Sequence, residues 1–252
     1  MLGIIGGTGL TAFADLKITR REIIRTPYGE PSGPVTLGEV SGRTLAFLPR
    51  HGSGHTIPPH AVNYRANIWA LHSVGVRNIV AVSAVGSTTP GLNSGDIVLP
   101  DQLIDYTYGR KHTFFDGHEC QELAAVKHVD FTEPYSVEIR ALCLQAAERA
   151  KIHMINGGVY AAMQGPRLET AAEINRLERD GATIVGMTGM PECALARELE
   201  MRYAAICPVA NHAAGRGDSR HEVSYEEMGK TLRQTIGQIC SIIEQVVILH
   251  GD

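Results

Sequence analysis

Two segments of this chain carry side chains suited to reading a flat heterocycle. Met-Gln-Gly-Pro-Arg-Leu-Glu-Thr (163–170) stops at a Gly-Pro turn and then opens a helical pattern, which sets the Glu169 carboxylate at the mouth of a helix beside a strand end. Val-Ala-Asn-His-Ala (209–213) closes an apolar run from Tyr203 to Val209 with the amide of Asn211, where a buried strand would emerge. A carboxylate accepts hydrogen bonds, and a primary amide both donates and accepts. Converging on one apolar cleft, the pair would match the polar edge of a base. The plainer reading is a helix-start acid favoured by the macrodipole and a turn asparagine, and neither segment alone decides between them.

A second set of segments is suited to an anion. Gly6-Gly7-Thr8-Gly9 follows the first strand-like run; its glycines permit a tight turn that exposes successive N–H groups, and Thr8 adds a hydroxyl. It is neither a P-loop nor a dinucleotide fingerprint, and a structural turn and a phosphate cradle are both open to it. Arg50-His51-Gly-Ser-Gly-His55 closes another run, and the Arg50 guanidinium is a fixed fork of donors matched to phosphate oxygens, with His51 as a further donor. The competing reading is a metal site from His51, His55 and His60. Interleaved glycines give these histidines no rigid spacing, and no acidic ligand lies near them in sequence. Ser83-Ala84-Val85-Gly86-Ser87 places small residues where a ligand can approach backbone amides at a strand end. Gly186-Met187-Thr188-Gly189-Met190-Pro191-Glu192 sets Thr188 near the start of a helix with proline in its first turn. Each segment alone is ordinary turn chemistry; one shared phosphate site explains them all.

The elements that must position these residues alternate along the chain. Apolar runs predict strands over 2–5, 44–49, 78–83, 96–100, 157–163, 183–187 and 203–209, several of them continuous enough to be covered on both faces. Helical periodicity falls over 60–74, 136–150, 168–180, 191–200 and 224–250. In the last of these, Met228, Leu232, Ile236, Ile239, Ile243 and Val246 form one apolar face. The pattern predicts an α/β fold in one domain spanning 1–252, a central mixed twisted β-sheet flanked by helices. Residues 105–134 break the pattern: Tyr106, Tyr108, Arg110, Lys111, His112, Asp116 and His118 follow no clear period, and so long an aromatic, charged loop is expected to be functional or an interface.

Composition narrows the function classes. With 23 Lys and Arg against 27 Asp and Glu, the net charge is −4, and the cations are scattered. This leaves no electrostatic footprint for nucleic acid and no polybasic run for a membrane surface. The five cysteines (120, 143, 193, 207 and 240) are widely spaced with no CxxC pair, as expected of reduced thiols in the cytoplasm. Neither a secretion signal nor a membrane span is expected.

With these motifs in hand, the chain resembles the trimeric purine nucleoside phosphorylase and methylthioadenosine phosphorylase family over nearly its whole length. The most specific matches are Arg50-His51-Gly, Pro-Pro-His-Ala-Val-Asn-Tyr-Arg-Ala-Asn (58–67), Gly-Asp-Ile-Val-Leu-Pro-Asp-Gln-Leu-Ile-Asp (95–105), Gln-Gly-Pro-Arg-Leu-Glu-Thr and Gly-Met-Thr-Gly-Met-Pro-Glu. The resemblance implies phosphorolysis of a purine nucleoside to a free base and a pentose 1-phosphate. Inorganic phosphate is then the co-substrate, with no cofactor or metal. It carries phosphate contacts over to Thr8, Arg50, His51, Ser83, Ala84 and Thr188, sets Met187 against the ribose and places Leu168 beside the base. It also implies a homotrimer in which His128 reaches a neighbouring 5′ pocket.

Asn211 and Ala213 stand where adenosine-type members of the family usually carry an aspartate pair. An amide at 211 can donate to a 6-oxo group or N7, while Glu169 accepts from N1–H, so a 6-oxopurine is expected. Tyr225 stands near the position where inosine phosphorylases carry His for the 5′-hydroxyl. With Met228 and Leu232 it forms either a largely apolar 5′ pocket or plain helix core. The resulting expectation is S-methyl-5′-thioinosine, ahead of inosine or guanosine and then methylthioadenosine. A catalytically inactive nucleoside-binding protein and a metal-dependent hydrolase are the alternatives of another class.

Overall fold

The structure, a computed structural model, describes residues 1–10, 13, 16–117 and 126–251. His118 and Cys120, named above, lie outside the described residues. The first half of the chain forms β1 (Leu2–Gly6), β2 (Lys17–Glu22), β3 (Val35–Val40), β4 (Arg43–Pro49), α1 (Tyr64–Ser73), β5 (Asn78–Val82), β6 (Val85–Ser87), β7 (Ile97–Leu99) and β8 (Gln102–Asp105). The second forms α2 (Val137–Arg149), β9 (Ile155–Asn156), β10 (Val159–Ala162), α3 (Ala171–Arg179), β11 (Ile184–Gly186), α4 (Gly189–Glu198), β12 (Arg202–His212) and α5 (Tyr225–His250).

The strands join in one mixed sheet running β2-β3-β4-β1-β5-β12-β6-β11-β10-β8, with β7 and β9 paired off β12. Strands β4, β1, β5 and β12 are parallel neighbours, whereas β2, β3 and β4 form an antiparallel meander at one edge. Because side chains alternate across a strand, each central strand feeds two cores. Ile5, Ala46, Leu48, Ile79, Ala81, Tyr203 and Ala205 pack on the face covered by α1 and α4. Ile4, Leu45, Phe47, Val80, Val82, Ala204 and Ile206 pack on the opposite face, under α2 and α5. Burial on both sides is why these runs read as continuously apolar.

Strand β12 holds the sheet together. Its first residues pair with β5, Cys207 and Pro208 pair with β7, and its last residues pair with β6. The register shifts between Val209 and Asn211, leaving Ala210 as an extra residue. Such a bulge bends a strand and re-aims the side chains beyond it, here Asn211.

All seven strands and five helices expected from the periodicity are present, with shifted ends. The helix expected from Leu168 starts at Ala171, because Thr170 caps it: the Thr170 hydroxyl accepts from the Glu173 N–H and Glu173 accepts from the Thr170 N–H. Strands β2, β3, β6, β8 and β9 are not legible in the periodicity. β2 (Lys-Ile-Thr-Arg-Arg-Glu) is an exposed edge strand, whose charges protect its open edge and erase the apolar signal.

Candidate active site

The loops that leave the ends of β1, β4, β5, β11 and β12 enclose a cavity of about 460 Å³. Thr8 comes from the glycine loop after β1. Arg50 and His51 come from the end of β4, and Ser83 and Ala84 from the break between β5 and β6. Gly7 is required there by space: a Cβ at this position would lie 2.2 Å from the Val82 carbonyl oxygen and 2.8 Å from Arg50 Nη1.

Arg50 is fully buried. Its Nε donates to Glu192 Oε2 (2.6 Å), its Nη2 to Glu192 Oε1 (2.7 Å) and its Nη1 to the Val82 carbonyl (2.8 Å). Tyr203 OH donates to the same Glu192 Oε1 at 2.7 Å. A guanidinium has five N–H groups. Three are used in these bonds, leaving one on Nη1 and one on Nη2 for a ligand. Burial by itself would drive the charge off Arg50; Glu192 reverses that and holds the guanidinium firmly ionised. Glu192 stands in one of the motifs above, but its local sequence assigns it no role; an acid among the apolar positions in the first turn of a helix that faces the sheet is the available signal.

His51 differs from expectation. Its Nδ1 lies 2.8 Å from the Ile57 carbonyl, which can only accept, so Nδ1 carries the proton. Burial, then the Arg50 charge, lowers the His51 pKa to about 4. At neutral pH the ring is uncharged, and its donor is spent on the backbone. Nε2 is therefore an acceptor, suited to the proton of hydrogenphosphate rather than to a bare oxyanion. The rings of His51 and His55 lie 4.7 Å apart, but His60 lines a different cavity beside Tyr64 and Arg110, so the three histidines do not converge.

Thr188 precedes α4 without capping it. Met190 is extended (φ −121°, ψ 141°), so the regular helix begins at Pro191, and the Thr188 hydroxyl pairs instead with Ser83 Oγ at 3.1 Å. Two hydroxyls from separate strand ends thus meet on the cavity wall near the Arg50 cation. Met187 lies beside them.

The remaining wall carries the base-reading pair. Leu168 and Glu169 enter from the segment before α3, and Asn211 and Ala213 from the end of β12. Burial raises the Glu169 pKa above the usual carboxylate value. Asn211 Nδ2 donates to the His212 carbonyl (2.6 Å), which fixes the amide and leaves its second N–H and its oxygen for a ligand. Met228 and Leu232 of α5 complete the wall with Pro58 and with Val223 and Ile57, two residues that carry no motif of their own. Two expected residues lie elsewhere: Tyr225, at the start of α5, is 72% exposed, and His128 is on the surface, both outside the cavity of this chain.

Comparison with known proteins gives the chain its family. The model of the "Phosphorylase superfamily" matches residues 1–248. The chain is 48% identical, over 97% of each chain, to a probable S-methyl-5′-thioinosine phosphorylase of Pseudomonas syringae pv. tomato. It is 46% identical to the 6-oxopurine nucleoside phosphorylase of Pyrococcus furiosus, over 96% of this chain and 90% of that one. The fold superposes with a TM-score of 0.93 on methylthioadenosine phosphorylase from Schistosoma mansoni solved with adenine, at 32% identity, covering 99% of this chain and 91% of that one. A family model matched over nearly the whole chain, with relatives close to half identical to it, shows where it stands: the chain belongs to the phosphorylase superfamily.

Proposed function

We propose that this chain, as one domain, is a purine nucleoside phosphorylase that cleaves the N-glycosidic bond of 6-oxopurine nucleosides with inorganic phosphate, with S-methyl-5′-thioinosine as its preferred substrate. The observation that carries the reading is a single cavity holding both an anion wall (Arg50, Ser83, Thr188) and a base wall (Glu169, Asn211). The names of the relatives at 48% and 46% identity support the same chemistry.

Phosphate binds against the two remaining N–H groups of Arg50, the Ser83–Thr188 hydroxyls and Thr8. His51 Nε2 accepts a hydrogen bond from the P–OH of hydrogenphosphate. As the glycosidic bond lengthens, positive charge develops on the pentose, and the phosphate held beneath it stabilises that charge. The leaving purine gathers negative charge, which the Asn211 N–H relieves at N7 or the 6-oxo group, while ionised Glu169 holds N1–H. A phosphate oxygen then bonds to C1′ as the C1′–N9 bond breaks and its electron pair goes to the purine; the proton that hydrogenphosphate loses reaches the purine through solvent, giving hypoxanthine and 5-methylthioribose 1-phosphate. Adenine offers a lone pair at N1 rather than N–H, so an ionised Glu169 opposes it.

Met228, Leu232 and Val223 give the cavity an apolar stretch matched to a methylthio group. The family resemblance supports a homotrimer in which His128 reaches a neighbouring 5′ region. A cytoplasmic enzyme fits the buried thiols of Cys143, Cys193 and Cys207; among the described residues no helix is long and apolar enough to cross a membrane.

Incubation of the purified protein with methylthioinosine, inosine and methylthioadenosine, with and without phosphate, tests the reading by base release. The expected result is phosphate-dependent hypoxanthine release, fastest from methylthioinosine. Fastest adenine release from methylthioadenosine would keep the phosphorylase and overturn the account of base selection.

A further inference from the structure

Arg110 stands outside the cavity, in the segment after β8, yet its guanidinium ties together two of the loops that build it. Nη1 donates to the main-chain carbonyls of Met187 (2.9 Å) and Met190 (2.6 Å), and lies 3.3 Å from Tyr64 OH. Nη2 donates to the carbonyls of Met163 (3.2 Å) and Gln164 (2.8 Å), and Nε donates to Gln164 Oε1 (3.1 Å). Met163 and Gln164 open the segment that delivers Leu168 and Glu169 to the base wall. Met187 and Met190 flank Thr188 on the phosphate wall. The two segments also touch directly, since a Cβ on Gly165 (φ +64°) would fall 2.5 Å from Met187 Sδ.

The choice of acceptors is informative. Arg65 and Arg216 are paired with carboxylates, Asp116 and Glu178. The acceptors found for Arg110 among the described residues are carbonyls, an amide and a hydroxyl. A carboxylate would bind the cation at one point, whereas carbonyls from two loops make the planar fork a spacer between them. Lysine has one compact ammonium and cannot span that set in fixed geometry.

We infer that Arg110 is a positioning residue that fixes the separation of the base-reading carboxylate Glu169 from the phosphate-binding Thr188, through backbone carbonyls and without touching substrate. The inference rests on the phosphorylase reading above. Displacement of reacting groups by about 1 Å costs on the order of 100-fold in rate. Arg110→Ala and Arg110→Lys are therefore both expected to lose roughly 100-fold in kcat/KM. The KM for phosphate and the KM for nucleoside should both rise.

The readout that separates positioning from plain folding support is the mutual tightening of phosphate and hypoxanthine, each titrated calorimetrically alone and with the other present. The unsubstituted protein should show it and both variants should lose it. Guanidinium ion at non-denaturing concentration should restore part of the activity of Arg110→Ala and none of Arg110→Lys. Gln164→Ala removes the acceptor shared by Arg110 Nε and the Tyr108 N–H and leaves the carbonyls held; it should lose roughly 10-fold in kcat/KM, again in both KM values. Unchanged tightening in the variants, or a fall in kcat with both KM values intact, would overturn the inference. Absence of phosphate-dependent turnover in the unsubstituted protein would sink the underlying reading first, and the inference with it.

Discussion

Glu192 and Arg50 grip one another through two parallel hydrogen bonds of 2.6 and 2.7 Å, with side chains 0% and 1% exposed. Burying such a pair is costly, and its formation is favourable only because the geometry is bidentate and Tyr203 and Val82 satisfy further groups. Removing one partner is worse than never having had the pair. Glu192→Ala should destabilise the fold by about 3–5 kcal/mol in chemical denaturation. Glu192→Gln keeps the shape and an acceptor but strips the countercharge, so it should be less stable than the native protein yet more stable than Glu192→Ala, and should bind the phosphate anion more tightly than the native protein. Phosphate titration of the two variants measures the separation of stability from anion affinity.

Base choice is predicted to turn on position 211. Asn211→Asp supplies an acid able to donate to N7 and accept from a 6-amino group. The ratio of kcat/KM for methylthioadenosine to that for methylthioinosine should rise by roughly 10-fold or more. An unchanged ratio would mean that another residue reads the 6-position.

Glu169 gives base choice a pH dependence. Its pKa lies above the usual carboxylate value because it is buried, so acidification protonates it before an exposed acid. The protonated acid accepts from N1–H through its carbonyl oxygen more weakly than the carboxylate does, and its O–H can donate to a bare N1. Cleavage of 6-oxopurine nucleosides should thus decline on the acid side while discrimination against 6-aminopurines narrows. Glu169→Gln should flatten that pH dependence in profiles of both substrates.

His51 links pH to stability with a definite sign. Its folded pKa of about 4 lies below the ordinary 6.5, so between those values the unfolded chain binds the extra proton. Stability contributed by neutral His51 is complete above about pH 6.5 and is lost as pH falls towards 4, by on the order of 3 kcal/mol. Denaturation midpoints of the native protein and His51→Gln, followed from pH 7 to 4, should converge as the medium becomes acidic.

The 5′ end should respond to polarity on α5. Met228 lines the cavity and is half-buried, so Met228→Gln changes polarity at nearly constant volume. The preference for methylthioinosine over inosine should fall by about 10-fold, read as a ratio of kcat/KM values.

Much of this site is legible in the amino-acid sequence, for physical reasons. Strand ends in a sheet covered on both faces leave a sharp signature: apolar runs that stop at glycine or a small hydroxyl residue, as at Thr8, Ser83 and Thr188. Glu169 and Asn211 stand out because each ends such a pattern with a polar group. Glu192 and Arg110 do not, because their partners lie 142 and up to 80 residues away in sequence and no local period encodes those meetings. The proton on His51 is equally hidden, since it depends on a carbonyl fixed by the turn through Ile57. Tyr225 illustrates the reverse error: its place at the start of an amphipathic helix resembles a pocket position, but the first turn carries it out to solvent.

Strand β12 has a consequence for how ligands come and go. Its eleven residues pair in turn with strands on both sides of it, so among the described residues no seam runs along which two lobes could part like jaws. The floor of the cavity is accordingly a fixed surface. Among the lining residues Thr56 and Pro58 are exposed and Ile57, Pro59 and Val223 half-buried, so exchange of product for substrate is expected to fall to these loops rather than to lobe closure.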